Sequence, residues 1–205
     1  MTTSSDGMRR PKQARSQDST AKMLDAALDI LSRDGVQGLT IAAVSKLSGV
    51  SNGSLYHRFG DRRGLLVAAQ ERFLSQVESA WVLHSGPIWD APDTDTLLAR
   101  VVDAFFEIFS TNRRLFQAFM VTGYDDPVLR ARGTGTSRSA AAAMTALLVE
   151  RAGCTKEAAD TAFRVLYAQG ILVALFTDDE ITALDVANSD RRRHLLEAVR
   201  AMLQA

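Results

Sequence analysis

The sequence predicts an all-α protein of about nine helices in two parts, a small N-terminal unit and a larger helical body. Two observations carry this. Apolar residues recur three and four positions apart along most of the chain, and the segments so formed open on Ser, Thr or Asp and close on Gly. The composition agrees: 46% of residues are hydrophobic, only 7% are aromatic and there are four prolines, the signature of alanine- and leucine-rich helices.

Residues 1–17 are polar, lack periodicity and carry Arg9, Arg10, Lys12 and Arg15, so they read as a flexible basic arm. Helix 1 is expected from Asp18 to Arg33, with Leu24, Ala27, Leu28 and Leu31 facing inward and Gly35 ending it. Helix 2 starts at the Thr40 cap, carries Ile41, Val44 and Leu47, and stops at Gly49, where glycine takes a left-handed conformation without steric cost. Ser51 caps helix 3, Asn52 to Arg58, in which Leu55 and the following Phe59 are core residues. Asn52, Ser54, Tyr56, His57 and Arg58 have little apolar company. Two short helices joined by a glycine turn, the second of them polar, form a helix-turn-helix shaped for a DNA major groove. Helix 4 opens at Asp61 and runs along Leu65, Leu66, Ala69, Phe73, Val77 and Trp81 to Gly86-Pro87, joining the first unit to the body. Residues 84 to 93, with Pro87 and Pro92, form a loop.

The run Gly49-Val50-Ser51, Gly53-Ser54-Leu55-Tyr56-His57-Arg58-Phe59 resembles the DNA-binding signature of the TetR family of bacterial repressors. The likeness extends upstream to Met23–Leu31 with Asp34-Gly35, and downstream to Asp61-Arg62-Arg63 and Leu65-Leu66, about the first third of the chain. Gly64 departs from it, since an acidic helix former is more usual there, and implies a looser turn. The resemblance implies a DNA-binding domain at 18–64 and an effector-binding and dimerisation domain at 65–205. It also implies a DNA site of Thr40, Ser51, Asn52, Gly53, Ser54, Tyr56, His57, Arg58 and Arg62. Thr40, Tyr56, His57 and Arg62 would hold phosphates, Asn52 and Ser54 would meet base edges, Gly53 would let the backbone approach, and Arg58 would reach a phosphate or a guanine. The structural alternative is plain for some: Ser51, Ser54 and Asp61 also cap helices, and Tyr56 can simply pack.

In the body, helices 5 (Thr94 to Ser110) and 6 (Asn112 to Val121) are followed by a short helix from Asp126-Pro127 to Arg132, interrupted by Gly133 and Gly135. Helices 7 (Ser137 to Ala152), 8 (Thr155 to Phe176) and 9 (from Ser189) complete the chain. Phe105, Phe106, Phe109, Phe116, Phe119, Met120 and Tyr124 fall within twenty residues. Such a cluster reads as core or, by the family resemblance, as the wall of an apolar effector cavity formed by Trp81, Phe105, Phe109, Phe116, Phe119, Met120, Met144, Phe163 and Tyr167. Helices 8 and 9 are apolar on more than one face, which suits either a helix through the middle of a monomer or, as in the family, a four-helix homodimer interface. Ala162, Leu166, Gly170, Leu195, Val199 and Met202 are the candidates for the latter, the small residues allowing close approach.

Net charge is zero, yet residues up to Gln76 hold eleven Lys and Arg against seven acids, a net of +4 balanced by −4 in the remainder, as for a basic module on an acidic body. One cysteine, Cys154, fits a reducing compartment. The absence of a signal-peptide core or a long apolar run suggests a cytoplasmic protein with no membrane partner. His57, His84 and His194 lie far apart in the chain and neither a metal-ligand spacing nor a phosphate loop occurs, so no catalytic residues, metal or cofactor are expected. The expected partners are double-stranded DNA bearing a palindrome, a second copy of the chain, and an apolar or amphipathic small molecule that relieves repression. The competing reading is a helical ligand-binding or scaffold protein that does not use its helix-turn-helix.

Overall fold

Short-range capping decides where the helices begin and end. The computed structural model describes residues 12–80, 90–184 and 186–204. Trp81, the 84–93 loop as far as Trp89, and the arm up to residue 11 lie outside the described residues. Ten helices occur among those described: α1 (Lys12–Gly38), α2 (Ile41–Ser48), α3 (Asn52–Phe59), α4 (Arg62–Ala80), α5 (Thr94–Thr111), α6 (Arg113–Gly123), α7 (Pro127–Ala152), α8 (Lys156–Leu175), α9 (Asp178–Ile181) and α10 (Asn188–Gln204). The chain divides into two compact units, Met1–Ala69 and Gln70–Ala205, so that α4 starts in the first and ends in the second.

In the first unit, Thr40 Oγ1 accepts from the amide of Ala43 at 3.1 Å, and Gly49 takes φ 70°, ψ 14° with its N–H on Ser45 O. Ser51 Oγ accepts from the amide of Ser54, and Asp61 Oδ1 from that of Gly64 at 2.7 Å. Each cap satisfies an orphan amide of a first turn and fixes the register of α2, α3 and α4. Met23, Ala27, Leu31, Leu39, Ile41, Val44, Leu55, Leu65, Leu66 and Ala69 are buried. Burying each leucine contributes roughly 1.5–3 kcal/mol.

Several expectations change here. Helix α1 begins at Lys12, six residues before the expected Asp18, because nothing between Pro11 and Gly35 breaks a helix; Gly35 (φ 65°) then breaks it as expected, with a short turn beyond. Leu47 is 45% exposed and Phe59 half-buried, so neither is a full core residue. Gly64 is no loosening of the turn. A Cβ there would lie 2.0 Å from the Phe59 carbonyl oxygen, so close backbone approach requires glycine.

In the second unit α8 packs against α5, α6, α7 and α10. Its face Ala159, Ala162, Phe163, Leu166, Gly170 and Ala174 is buried against Val101, Val102, Phe105, Phe109, Leu147, Leu148 and Val199 in one core. Helix α8 is the one described helix long and apolar enough to cross a membrane, with a mean hydropathy of 1.2, but this face is the core of its own unit. Gly133 and Gly135 do not interrupt α7, which runs unbroken for 26 residues. Glycine in a helix costs about 1 kcal/mol but does not stop it, and the turn is held from outside: Arg132 and Thr136 bond to side chains of α4. The acidic stretch after α8 forms α9, its Thr177 and Glu180 making a reciprocal capping box.

Candidate functional site

Helix α3 buries Leu55, half-buries Phe59 and presents the rest outward: Asn52, Gly53, Ser54, Tyr56, His57 and Arg58 are all exposed, Tyr56 by 55%. Exposing a tyrosine to this extent on a helix of eight residues has no packing rationale. At Gly53 only Ser51 Oγ, at 3.9 Å, stands near a would-be Cβ, so the fold itself has no need of glycine there. Ser51 and Ser54 are partly committed: their hydroxyls lie 3.0 Å apart and Ser51 also caps, which leaves one of the two hydroxyl protons to donate outward. Thr40 is exposed at the N-terminus of α2, beside amides suited to a phosphate.

Arg62, exposed as expected, also has a structural role. Its Nε donates to Leu39 O at 2.6 Å and Nη2 donates to Val36 O, which ties the start of α4 to carbonyls left open after α1. The sequence places Arg62 beside the recognition helix but says nothing of carbonyls 23 and 26 residues upstream.

The second unit contains a cavity of about 510 Å³ that opens to solvent, within the size range of small-molecule sites. Phe105, Phe109, Phe116, Phe119, Met120 and Tyr167 line it as expected. Met144 and Phe163 do not. Both are core, Phe163 stacking on Tyr167 at 5.6 Å and meeting Phe105 edge-on. The wall also includes Tyr124 of the aromatic cluster, after α6, and residues outside the expected set: Phe73, Val77 and Glu78 from α4, and Thr134, Ser137 and Ala140 from α7. The period of α4 alone could have suggested Phe73 and Val77; the small residues of α7 carried no signal. Gln70, 4% exposed, donates to Leu129 O at 3.0 Å beside the cavity, and burial raises the Tyr167 phenol despite its bond with Ser137.

Behind Glu78 lies an ion cluster. Arg132 Nε donates to Glu71 Oε2 at 2.5 Å, Nη1 to Glu78 Oε1 at 2.8 Å and to Thr136, and Nη2 to Glu71 Oε1 at 3.2 Å and Glu78 Oε2 at 3.0 Å. The hydrogen bonds from Arg132 hold both carboxyls below the ordinary glutamate range against the opposing effect of burial. A depressed carboxyl stabilises the fold above its unfolded value, near 4.5, and that contribution is lost as pH falls below it. Arg132→Gln should therefore lower the urea midpoint at pH 7 while flattening its decline between pH 5 and 3. Parallel profiles for the two proteins would show that the cluster contributes nothing. Both carboxylates are substantially exposed, so the effect is modest.

The predicted dimer face is also revised. Ala162, Leu166 and Val199 are buried in the unit's own core, and Gly170 is filled by Phe109, whose Cδ2 would lie 2.4 Å from an added Cβ. Leu195 packs against that core in part, and Met202 is half-buried. Small residues on α8 admit a ring of α5, because helix periodicity cannot say which of two apolar faces meets the chain itself.

A capped helix-turn-helix with an exposed polar second helix, joined through a continuous helix to an all-helical unit with an apolar cavity, defines the class: a helix-turn-helix protein with a ligand-sized chamber. Residues 23–69 match the sequence profile described as bacterial regulatory proteins, tetR family. The HTH-type transcriptional regulator BetI of Burkholderia thailandensis is 32% identical over 113 residues, 54% of this chain and 57% of that one. The chain thus matches little more than half the length of such curated relatives. The fold resembles that of a putative transcriptional regulator from Saccharomonospora viridis solved in complex with choline, with TM-score 0.70 at 16% identity over 90% of this chain and 96% of that one. It also resembles the multidrug binding protein EbrR complexed with malachite green, with TM-score 0.63 at 19% identity over 94% of this chain and 99% of that one.

Proposed function

We propose that the protein is a ligand-responsive transcriptional repressor that binds a palindromic operator as a homodimer in the cytoplasm. The observation that carries this is the outward face of α3, where Asn52, Ser54, Tyr56, His57 and Arg58 are exposed on a helix anchored from behind by Leu55. Asn52 and Ser54, at the helix N-terminus, meet base edges. Thr40, Tyr56 and His57 hold phosphates, and Gly53 admits the backbone. One short helix makes too few contacts for selective binding, and two related by symmetry read both half-sites. Support for the pairing face comes from Val165, Ala168 and Leu172, spaced three and four apart on α8 and outside the core, together with Met202 on α10.

The effector occupies the cavity and acts on the Gln70–Ala80 part of α4, the helix whose first turns belong to the DNA-reading unit. It releases DNA only by binding the DNA-incompetent state better, since equal affinity shifts nothing. No metal or catalytic group enters this reading.

Selection of duplexes from a random pool by the purified chain tests it, followed by anisotropy titrations against salt. A palindromic site should emerge. Tyr56→Phe should weaken binding to every sequence, Asn52→Ala should change sequence preference, and Arg58→Ala should reduce the salt slope by about 1. Arg62→Ala should lower thermal stability, because two of its N–H groups bond to Leu39 and Val36, and should also reduce that slope, because carbonyl partners leave its charge in place. Selection of no duplex would leave the helix-turn-helix unused and favour a ligand-binding protein.

A further inference from the structure

The cavity wall is chemically lopsided. Seven aromatic rings line it among the described residues, while its ionisable carboxylate and guanidinium are Glu78 and Arg130. Arg130 is exposed, with its guanidinium 5.7 Å from the centroid of Tyr124, a ring that is itself 74% exposed, so this cation sits at the solvent side. Glu78 belongs to a cluster with an odd charge. Among the described residues Arg132 is its one cation for two carboxylates, and all five of its N–H donors are used, on Glu71, Glu78 and Thr136. Such a guanidinium has no donor left for an anionic ligand, whereas a carboxylate keeps lone pairs for a second cation. Of this cluster, Glu78 and Thr136 line the cavity and Arg132 does not, so the chamber meets the acid with the base behind it. Aromatic faces carry negative quadrupole charge and attract cations, adding to the same preference.

Resting on the reading of this chamber as the effector site, we propose that it selects organic cations, with Glu78 as counter-ion, and that the ligand competes with Arg132 for that carboxylate. The cation draws Glu78 away from a tie between α4 and α7, so ligand charge is felt by the helix that leads into the DNA-reading unit. The chamber's volume suits an ion with several rings.

Tetraphenylphosphonium and tetraphenylborate test this, being nearly identical in shape and opposite in charge. Calorimetric titration of the full chain should show the phosphonium binding at least tenfold more tightly than the borate. Glu78→Gln, which keeps an acceptor for Arg132, should weaken the phosphonium about tenfold and bind the borate no more weakly than the wild type does. Arg132→Gln should tighten the phosphonium severalfold by freeing Glu78. Circular dichroism of each variant confirms folding. Equal affinity for the two ions, tighter borate binding, no binding of either, or an unaltered phosphonium affinity in Glu78→Gln overturns the proposal. Operator binding measured in parallel separates the two readings: a Glu78-dependent cation that leaves DNA affinity unchanged sinks the effector role alone, and DNA release by neutral or anionic molecules alone sinks the charge selectivity.

Discussion

Leu55→Ala is expected to abolish operator binding by unfolding the DNA-reading unit, although the side chain never faces DNA. Leu55 is fully buried and is the one residue of α3 that is. Removing its isobutyl group costs about 2–5 kcal/mol through lost transfer energy and the cavity left behind. A unit of this size holds only roughly 3–10 kcal/mol of stability, so the loss is a large fraction of the whole. The recognition helix has no second anchor of that kind, since Phe59 is half-buried at its other end. Thermal melting should show the first unit's transition lowered or absent, with DNA affinity lost at every salt concentration. A variant that melts as the wild type and keeps full operator affinity would place α3 on some other support.

Gly170→Ala should destabilise the second unit and reshape its cavity together. The added methyl would stand 2.4 to 2.8 Å from three ring carbons of Phe109. That ring cannot easily retreat, because it stacks on Phe116 at 4.5 Å and meets Tyr167 edge-on at 5.9 Å. Overpacking of this kind costs about 1–3 kcal/mol, against about 1 kcal/mol gained from the better helix former. A lower urea midpoint and weaker uptake of a cavity-sized organic probe are the expected results. A stabilised variant with unaltered uptake would mean that Phe109 moves freely and that the glycine serves some surface instead.

The first unit was legible because its information is local. Thr40, Gly49, Ser51 and Asp61 act on amides within three or four positions of themselves, so spacing alone located the ends of α2, α3 and α4. The exposure of the α3 face was legible by elimination, since Tyr56 and His57 had no packing role to fill. Gly133 and Gly135 misled for the converse reason: their local cost is offset by Arg132, Thr136 and residues 54 to 61 positions away on α4.

The sequence by itself determined the all-helical class, the caps and glycine turn of the helix-turn-helix, and the polar surface of α3, all consequences of contacts within a turn or two of chain. Tertiary structure alone decided that Arg62 turns to Val36 and Leu39, that Gly170 receives Phe109, that Met144 and Phe163 stay in the core, and that Glu78 reaches the cavity wall with Arg132 behind it. Periodicity reports that a helix has an apolar face, but which partner meets that face depends on shape and charge brought together from distant segments.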